Sequence, residues 1–306
     1  MLRQLPRSAH PSLLVGFENR DDAGVFALPD GQALVQTIDF FTPVVDDPFS
    51  YGAIAAANAL SDIYAMGGRP LTAMNVACFD PSRAEPNVWS EIFRGMYEKC
   101  EEAEAVVVGG HTVEDPQPKF GLSVTGLVEP STMFINTLAE PDQKIFLSKP
   151  LGTGIITTAA KNDAASPRSI DEAIESMSRL NRSAAEAGLE AQVRCATDVT
   201  GFGLAGHLLN VAKASAVSIH ISCSALPLLL DARQLAEKGH VTGGSSRNRE
   251  FLGARLHSAL AEDWQVEIVL DPQTSGGLAL FSQTQVADFA EIGYVTDGEP
   301  GIFLVR

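Results

Sequence analysis

The hydrophobic pattern changes period repeatedly along the chain, and each change marks an element. Residues 24–28 and 33–38 are short β-rich runs on either side of Pro29-Asp30-Gly31, which predicts two strands joined by a turn. Residues 51–66 (YGAIAAANALSDIYAM) read as an Ala-rich helix, stopped by Gly67-Gly68 and then Pro70. A strand over 71–78 follows, then a helix over 86–104 with Pro at its start. Next come a strand over 105–108, a Gly109-Gly110-His111 turn and a strand over 120–128. The polar, irregular stretch 129–143 predicts a domain boundary. Beyond it the pattern gives a strand over 144–148, helices over 170–188 and 203–215, and a strand over 218–221. A Gly/Ser/Arg loop over 239–250 and a Gly-rich turn over 271–277 precede a strand over 278–281. Strands and helices occur in both halves, so the expected class is α+β, with one domain over 1–130 and a second α+β domain over 140–306.

Composition supports two domains: 306 residues, at about 150 per domain. Apolar residues make up 45% and charged residues 20%, enough for a core and too little charge for a disordered chain. Lys plus Arg total 22 and Asp plus Glu 38, a net charge of −16. A chain this acidic lacks the electrostatic footprint of a nucleic-acid or anionic-membrane binder, so neither partner is expected. A substrate that carries phosphates would need a metal ion or a local basic cluster. No apolar run approaches bilayer length, and MLRQLPRSAH has no apolar signal core. Cys78, Cys100, Cys195 and Cys223 form no CxxC pair, which fits reduced thiols in a cytoplasmic protein.

Candidate chemistry lies in acids set in apolar contexts: Asp21-Asp22, Asp39, Asp62, Asp198 and Asp271. An ionised carboxylate beside apolar neighbours is costly unless paired or bound to a cation, and the charge census leaves too few cations for all of them. A divalent ion is the natural partner, since magnesium takes one or two carboxylates plus substrate phosphates. Asn58 and Asp62, four apart, share one face of the Ala-rich helix. Taken singly, each acid is accounted for by a turn, a strand-end cap or a loop hydrogen bond. Together with the turns at 109–112, 200–203 and 274–277, whose glycines let a backbone approach phosphate, they point to a metal–phosphate site. Gly201, Gly203 and Gly206 satisfy GxGxxG, but Asp198 just before them would repel a pyrophosphate, so a dinucleotide fold is rejected. Walker-type, HExxH and GxSxG motifs are absent from the sequence. His111 serves equally as a base, a phosphate donor or a turn residue, and His207 as a core residue. Arg247 and Arg249 are either a phosphate clamp or a solvated loop.

The segments ENRDDAGVF, TIDFFTPVVDDPFSYGAIAAANALSDIYAMGGRP, VVVGGHTVEDPQPKFGLSVTG, ATDVTGFGLAGHL and LDPQTSGGL closely resemble the selenophosphate synthetase (selenide, water dikinase) family. The resemblance runs from about Leu14 to the C-terminus. It implies a two-domain aminoimidazole ribonucleotide synthetase-like fold. In that fold the N-terminal ATP/Mg-binding and dimerisation domains pair into a β-barrel, so the partners implied are a second copy, ATP and selenide. The implied reaction converts ATP, selenide and water into selenophosphate, AMP and phosphate. Asp22, Asp62 and Asp198 match the family's Mg²⁺ ligands. Asp39 and Asp62 match its nucleotide-phosphate positions, and Asn19, Arg20, Asp21, Gly110, His111 and Thr112 match positions that contact ATP, some of them from the partner chain. The family's Gly-rich loop with a reactive Cys or selenocysteine and a Lys has no counterpart from Met1 onward, so no catalytic residue is assigned. The expectation is that this segment lies upstream of Met1, either through a start assigned after a selenocysteine codon or through deliberate shortening. The alternatives are another ATP-dependent member of the superfamily, such as a thiamine-monophosphate kinase, or a catalytically silent nucleotide-binding homologue.

Overall fold

A computed structural model describes residues 10–82 and 85–306. The chain divides into two compact units: Met1–Met133 with Met177–Ser183, and Phe134–Ser176 with Ala184–Arg306.

The first unit is built on six strands: β1 (Leu13–Val15), β2 (Gly24–Ala27), β3 (Ala33–Phe41), β4 (Arg69–Phe79), β5 (Val106–Glu114) and β6 (Lys119–Val128). Their order is β1-β2-β3-β6-β4-β5, and only β4 and β5 run parallel. A parallel neighbour requires a crossover, which helix α2 (Pro86–Glu102) supplies. Helix α1 (Pro48–Ala65) starts where Asp47 accepts from Ser50 N at 2.8 Å and Pro48 fixes the first turn. Fourteen of its residues are buried, so it is a core helix covered on nearly every side. It packs on α2 almost backbone to backbone. A Cβ on Gly52 would overlap the carbonyl oxygen of Ile92, and one on Gly95 that of Phe49. The opposite face of the sheet is open, with Ile38 59%, Phe40 42%, Met74 46% and Val113 49% exposed.

The second unit carries seven strands: β7 (Lys144–Leu147), β8 (Cys195–Asp198), β9 (Ser218–Ser222), β10 (Leu256–His257), β11 (Leu278–Ser282), β12 (Ala290–Thr296) and β13 (Gly301–Val305). Their order is β10-β13-β9-β12-β7-β11-β8, with parallel pairs only at β10/β13 and β13/β9. The helices are α3 (Thr153–Ala160), α4 (Pro167–Ser178), α5 (Arg182–Glu190), α6 (Gly203–Ser215), α7 (Ala232–Glu237), α8 (Gly243–Leu252) and α9 (Asp263–Leu270). Both sheets are mixed and, among the described residues, neither closes into a barrel. No helix among them is long and apolar enough to cross a membrane.

Three expectations are corrected. The Gly109-Gly110-His111 turn is the middle of β5. The β4 register steps from Ala73↔Val107 to Met74↔Gly109, so Val108 bulges, and the glycine at φ +149° absorbs the bulge while the strand runs on. The single helix over 170–188 is two, α4 and α5. The buried Asn181 between them turns its amide to Ser61 Oγ at 2.8 Å instead of continuing the helix. The loop over 239–250 is largely α8, because Thr242 Oγ1 caps it by accepting from Ser245 N at 3.1 Å.

Candidate functional site

In the first unit the carboxylates are organised by matched periods. Thr37 and Asp39, two apart on β3, face the same way, and their Cα atoms are separated by about 6.7 Å along the strand. Asn58 and Asp62, four apart on α1, lie about 6 Å apart along the helix. Helix and strand therefore meet rung for rung in opposite directions. Thr37 Oγ1 donates a short hydrogen bond to Asp62 Oδ2, and Asn58 Nδ2 donates to Asp39 Oδ2 at 2.5 Å. Burial pushes the Asp39 carboxyl above the usual range, while the Asn58 amide and the Phe40 backbone N–H pull it back down. The Asp62 carboxylate is only half-buried.

Asp21 and Asp22, both half-buried, lead into β2, whose first residue Gly24 pairs with Gln36, next to Thr37. Asn19 is exposed in the turn before them, and Arg20 takes a left-handed conformation at φ 57°. The β2–β3–α1 region of the first unit thus carries Asn19, Arg20, Asp21, Asp22, Asp39 and Asp62. Gly110, His111 and Thr112 are elsewhere. Asp39, Leu122, Asn75 and Gly110 form one cross-strand row, so Gly110 is three strand spacings from Asp39, about 14 Å. Gly110 has its own reason to be glycine: a Cβ there would overlap the Asn75 side chain.

In the second unit Asp198 closes β8 and is 2% exposed. The turn after it is held by His207, whose Nε2 accepts from Thr200 N at 3.2 Å. Burial pushes that imidazole down to about 4, so it stays neutral and serves the turn, as a core histidine does. Asn248, which sequence reasoning missed, donates from Nδ2 to Gly201 O at 3.1 Å and to Leu270 O at 2.9 Å, tying the same turn to the end of α9.

The 271–277 turn proves to be a helix cap. The first four amides of the α3 end are all taken by it. Gly152 N and Thr153 N donate to Gln273 Oε1 at 2.9 and 3.2 Å, and Gly154 N and Ile155 N donate to Asp271 Oδ2 at 3.0 and 3.1 Å. Asp271, expected to seek a cation, finds a helix N-terminus instead. Lys149, 2% exposed, donates from Nζ to Ser275 O at 2.9 Å and holds the turn from the other side. Of the two arginines considered for a phosphate clamp, Arg249 is ion-paired to Glu267 at 2.5 Å.

Two family models match in tandem: the AIR synthase related protein N-terminal domain over residues 20–128 and its C-terminal domain over 140–305. The selenide, water dikinase of Geobacter metallireducens is 46% identical over 93% of this chain and 83% of its own length. That of Caldanaerobacter subterraneus subsp. tengcongensis is 44% identical over 94% and 83%. The chain belongs to the selenide, water dikinase family. Two solved structures with the same fold are more distant in sequence than these dikinases. A thiamine monophosphate kinase from Aquifex aeolicus aligns at TM-score 0.69 and 18% identity, covering 92% of this chain and 90% of that one. The hydrogenase maturation protein HypE of E. coli aligns at 0.66 and 15%, covering 89% and 82%. The two-domain AIR synthase-like fold is therefore shared by this dikinase-family chain, a thiamine monophosphate kinase and a hydrogenase maturation protein.

Proposed function

We propose that this chain is a selenide, water dikinase, making selenophosphate from ATP, selenide and water and releasing AMP and phosphate. The observation that carries this reading is the contrast in likeness: 44–46% identity to dikinases over more than nine-tenths of the chain, against 15–18% to thiamine-phosphate kinase and HypE. Asp22, Asp62 and Asp198 would hold Mg²⁺. Their donors are all carboxylate oxygens, the hard set this ion takes, and Thr37 holds Asp62 in one orientation from outside that set. When bound, the ion supplies the positive charge that a chain of net charge −16 lacks toward a triphosphate. Asp39, fixed by Asn58, and the turn of Asn19, Arg20 and Asp21 line the nucleotide's phosphate side in this reading, in the N-terminal ATP/Mg-binding domain over 1–130, with 140–306 as the C-terminal domain.

The protein works as a homodimer in the same reading. β5 is an edge strand, exposed along nearly its whole length, and the apolar face beside it is open. Covering that face with a second copy would form a shared β-barrel and bring one protomer's Gly110, His111 and Thr112 to its partner's carboxylates. That supply suits residues which stand three strands from Asp39 within one chain. None of the four cysteines forms a disulfide, in keeping with a cytoplasmic setting. The test is anaerobic ³¹P NMR on the full gene product with ATP, MgCl₂ and selenide. Selenophosphate and AMP are expected in equal amounts. ADP formed with thiamine monophosphate, and no AMP with selenide, would overturn the assignment.

A further inference from the structure

Strand β3 shows different residues to its two sides. Ile38 and Phe40 are exposed on the open face, while Thr37 and Asp39 are half-buried and reach α1. Thr37 is a rigid donor. It is β-branched, which restricts its side-chain rotamer. It pairs with Val124 of β6, and its carbonyl accepts from Ser123 Oγ at 3.2 Å. Its acceptor is fixed as well, because Ser61 and Ile63 on either side of Asp62 are fully buried in α1.

A threonine has one O–H to give, and Thr37 spends it on Asp62 Oδ2. The same device recurs one helical turn earlier, where Asn58 Nδ2 donates to Asp39 Oδ2 at 2.5 Å. Both donors are neutral, so they orient a carboxylate without cancelling its charge. They also engage one named oxygen of each carboxylate, and that bears on which ion such a group can serve.

Magnesium demands near-octahedral geometry at about 2.0–2.1 Å and takes one oxygen from each of one or two carboxylates. Calcium is larger, gathers about six to eight oxygens at about 2.3–2.6 Å, and commonly takes both oxygens of a carboxylate. A carboxylate with one oxygen committed to a short hydrogen bond presents the other in a set direction. That suits magnesium and opposes the two-oxygen bite of calcium. We infer that Thr37 sets the choice of ion at this site: by engaging Asp62 Oδ2 it makes Asp62 a one-oxygen ligand and favours magnesium over calcium. Thr37 acts through Asp62 and is a positioning residue. The inference rests on the reading of Asp62 as an ion ligand.

Isothermal titration of the full chain with ATP tests it, in excess MgCl₂ or in excess CaCl₂ and without selenide, so that binding alone is read. The wild type should bind ATP more tightly with magnesium than with calcium. Thr37→Val keeps the branched shape and removes the donor. It should lower that preference by about tenfold or more, with most of the loss on the magnesium side. Thr37→Ser keeps the hydroxyl and should keep the preference. A role confined to the stability of β3 would not separate the two ions. Matching thermal melts verify the fold, and Thr37→Ala replaces the valine variant if that one melts early. In an Asp62→Ala background Thr37→Val should change nothing further, because the carboxylate it acts through is gone. Equal affinities in the wild type overturn the inference. So does a preference that Thr37→Val leaves within about twofold of the wild type, or one that Thr37→Ser loses as fully as Thr37→Val. Magnesium-dependent binding that survives Asp62→Ala unchanged removes the reading of Asp62 as a ligand, and this inference with it.

Discussion

Asp271→Asn isolates one carboxyl group whose energetics can be read from its surroundings. Oδ2 accepts from Gly154 N, Ile155 N and Gln273 Nε2 at 3.0, 3.1 and 2.8 Å, while Oδ1 is buried with no hydrogen-bond partner among the described residues. The residue is 0% exposed. Burial pushes its carboxyl up to about 7, against the pull of the Ile155 N–H, the Gln273 amide and the Gly154 N–H, and Glu267 nearby adds to the rise. The folded protein then keeps a proton that the unfolded chain releases near its ordinary value of 3.8. Its contribution to stability is fully present below about pH 4, falls as the pH rises through about 7, and is flat beyond. A rise of about three, at about 1.4 kcal/mol for each pH unit, comes to about 4 kcal/mol. Asparagine has the shape of the protonated acid and no proton to lose. The variant should therefore gain about 4 kcal/mol relative to the wild type between pH 4 and pH 7, through the wild type's loss. Urea unfolding at a series of pH values measures this. The emission of Trp264 on α9 reports the second unit in a Trp89→Phe background, in which no other tryptophan remains. Two stability curves that run parallel in pH would refute the reasoning.

Asn58→Leu takes from Asp39 the donor that steadies it in a buried setting, so stability at pH 7 should drop by about 1–3 kcal/mol in a thermal or urea melt. The Asp39 carboxyl should titrate still higher, because burial then acts with less opposition. Calorimetry should find ATP binding that EDTA abolishes and that Asp62→Ala weakens by about tenfold or more. ATP binding equally well without any divalent ion would end the metal reading. Phe40→Asp together with Ile38→Asp places two charges on the open apolar face and should convert the proposed dimer to a monomer in light scattering. A wild-type protein already at 32.5 kDa in solution would exclude that interface.

Where local chemistry decides an element, the sequence was sufficient. α6 runs over 203–215, the span expected from its apolar pattern, and β6 covers 119–128 against an expectation of 120–128. The pairing of Asn58 with Asp62 on one helix face could also be read from spacing alone. Their partners were less obvious, although Thr37 and Asp39 are polar at alternate positions of an apolar strand, which was the available signal. The misreadings share a cause: a local signal whose meaning is set by a distant partner. Glycines at 109 and 110 look like a turn until β4 is there to pair with them through Phe79↔Glu114. Asn181 looks like helix surface until Ser61, 120 positions away, receives its amide. The Ser and Gly residues at 243–246 look like a loop unless Thr242 is recognised as a cap, and that signal was local and simply outweighed.

Asp198 and Asp271 sharpen the point, because by sequence they are alike. Each follows an apolar run and precedes a Gly-containing turn. An acid in such a setting must find positive potential, and either a metal ion or a helix N-terminus provides it. For Asp271 the partner is the N-terminal end of α3, at 3.0 and 3.1 Å and more than a hundred residues earlier in the chain. Nothing at 268–277 encodes that choice. It is made where Gly152 and Gly154 let the helix end come close, a Cβ on Gly154 being one that would overlap Asp271 Oδ1. Clusters of acids read from a single sequence therefore overcount metal ligands. The ones to discount first are those whose fold brings them against the start of a helix with a glycine in its first turn.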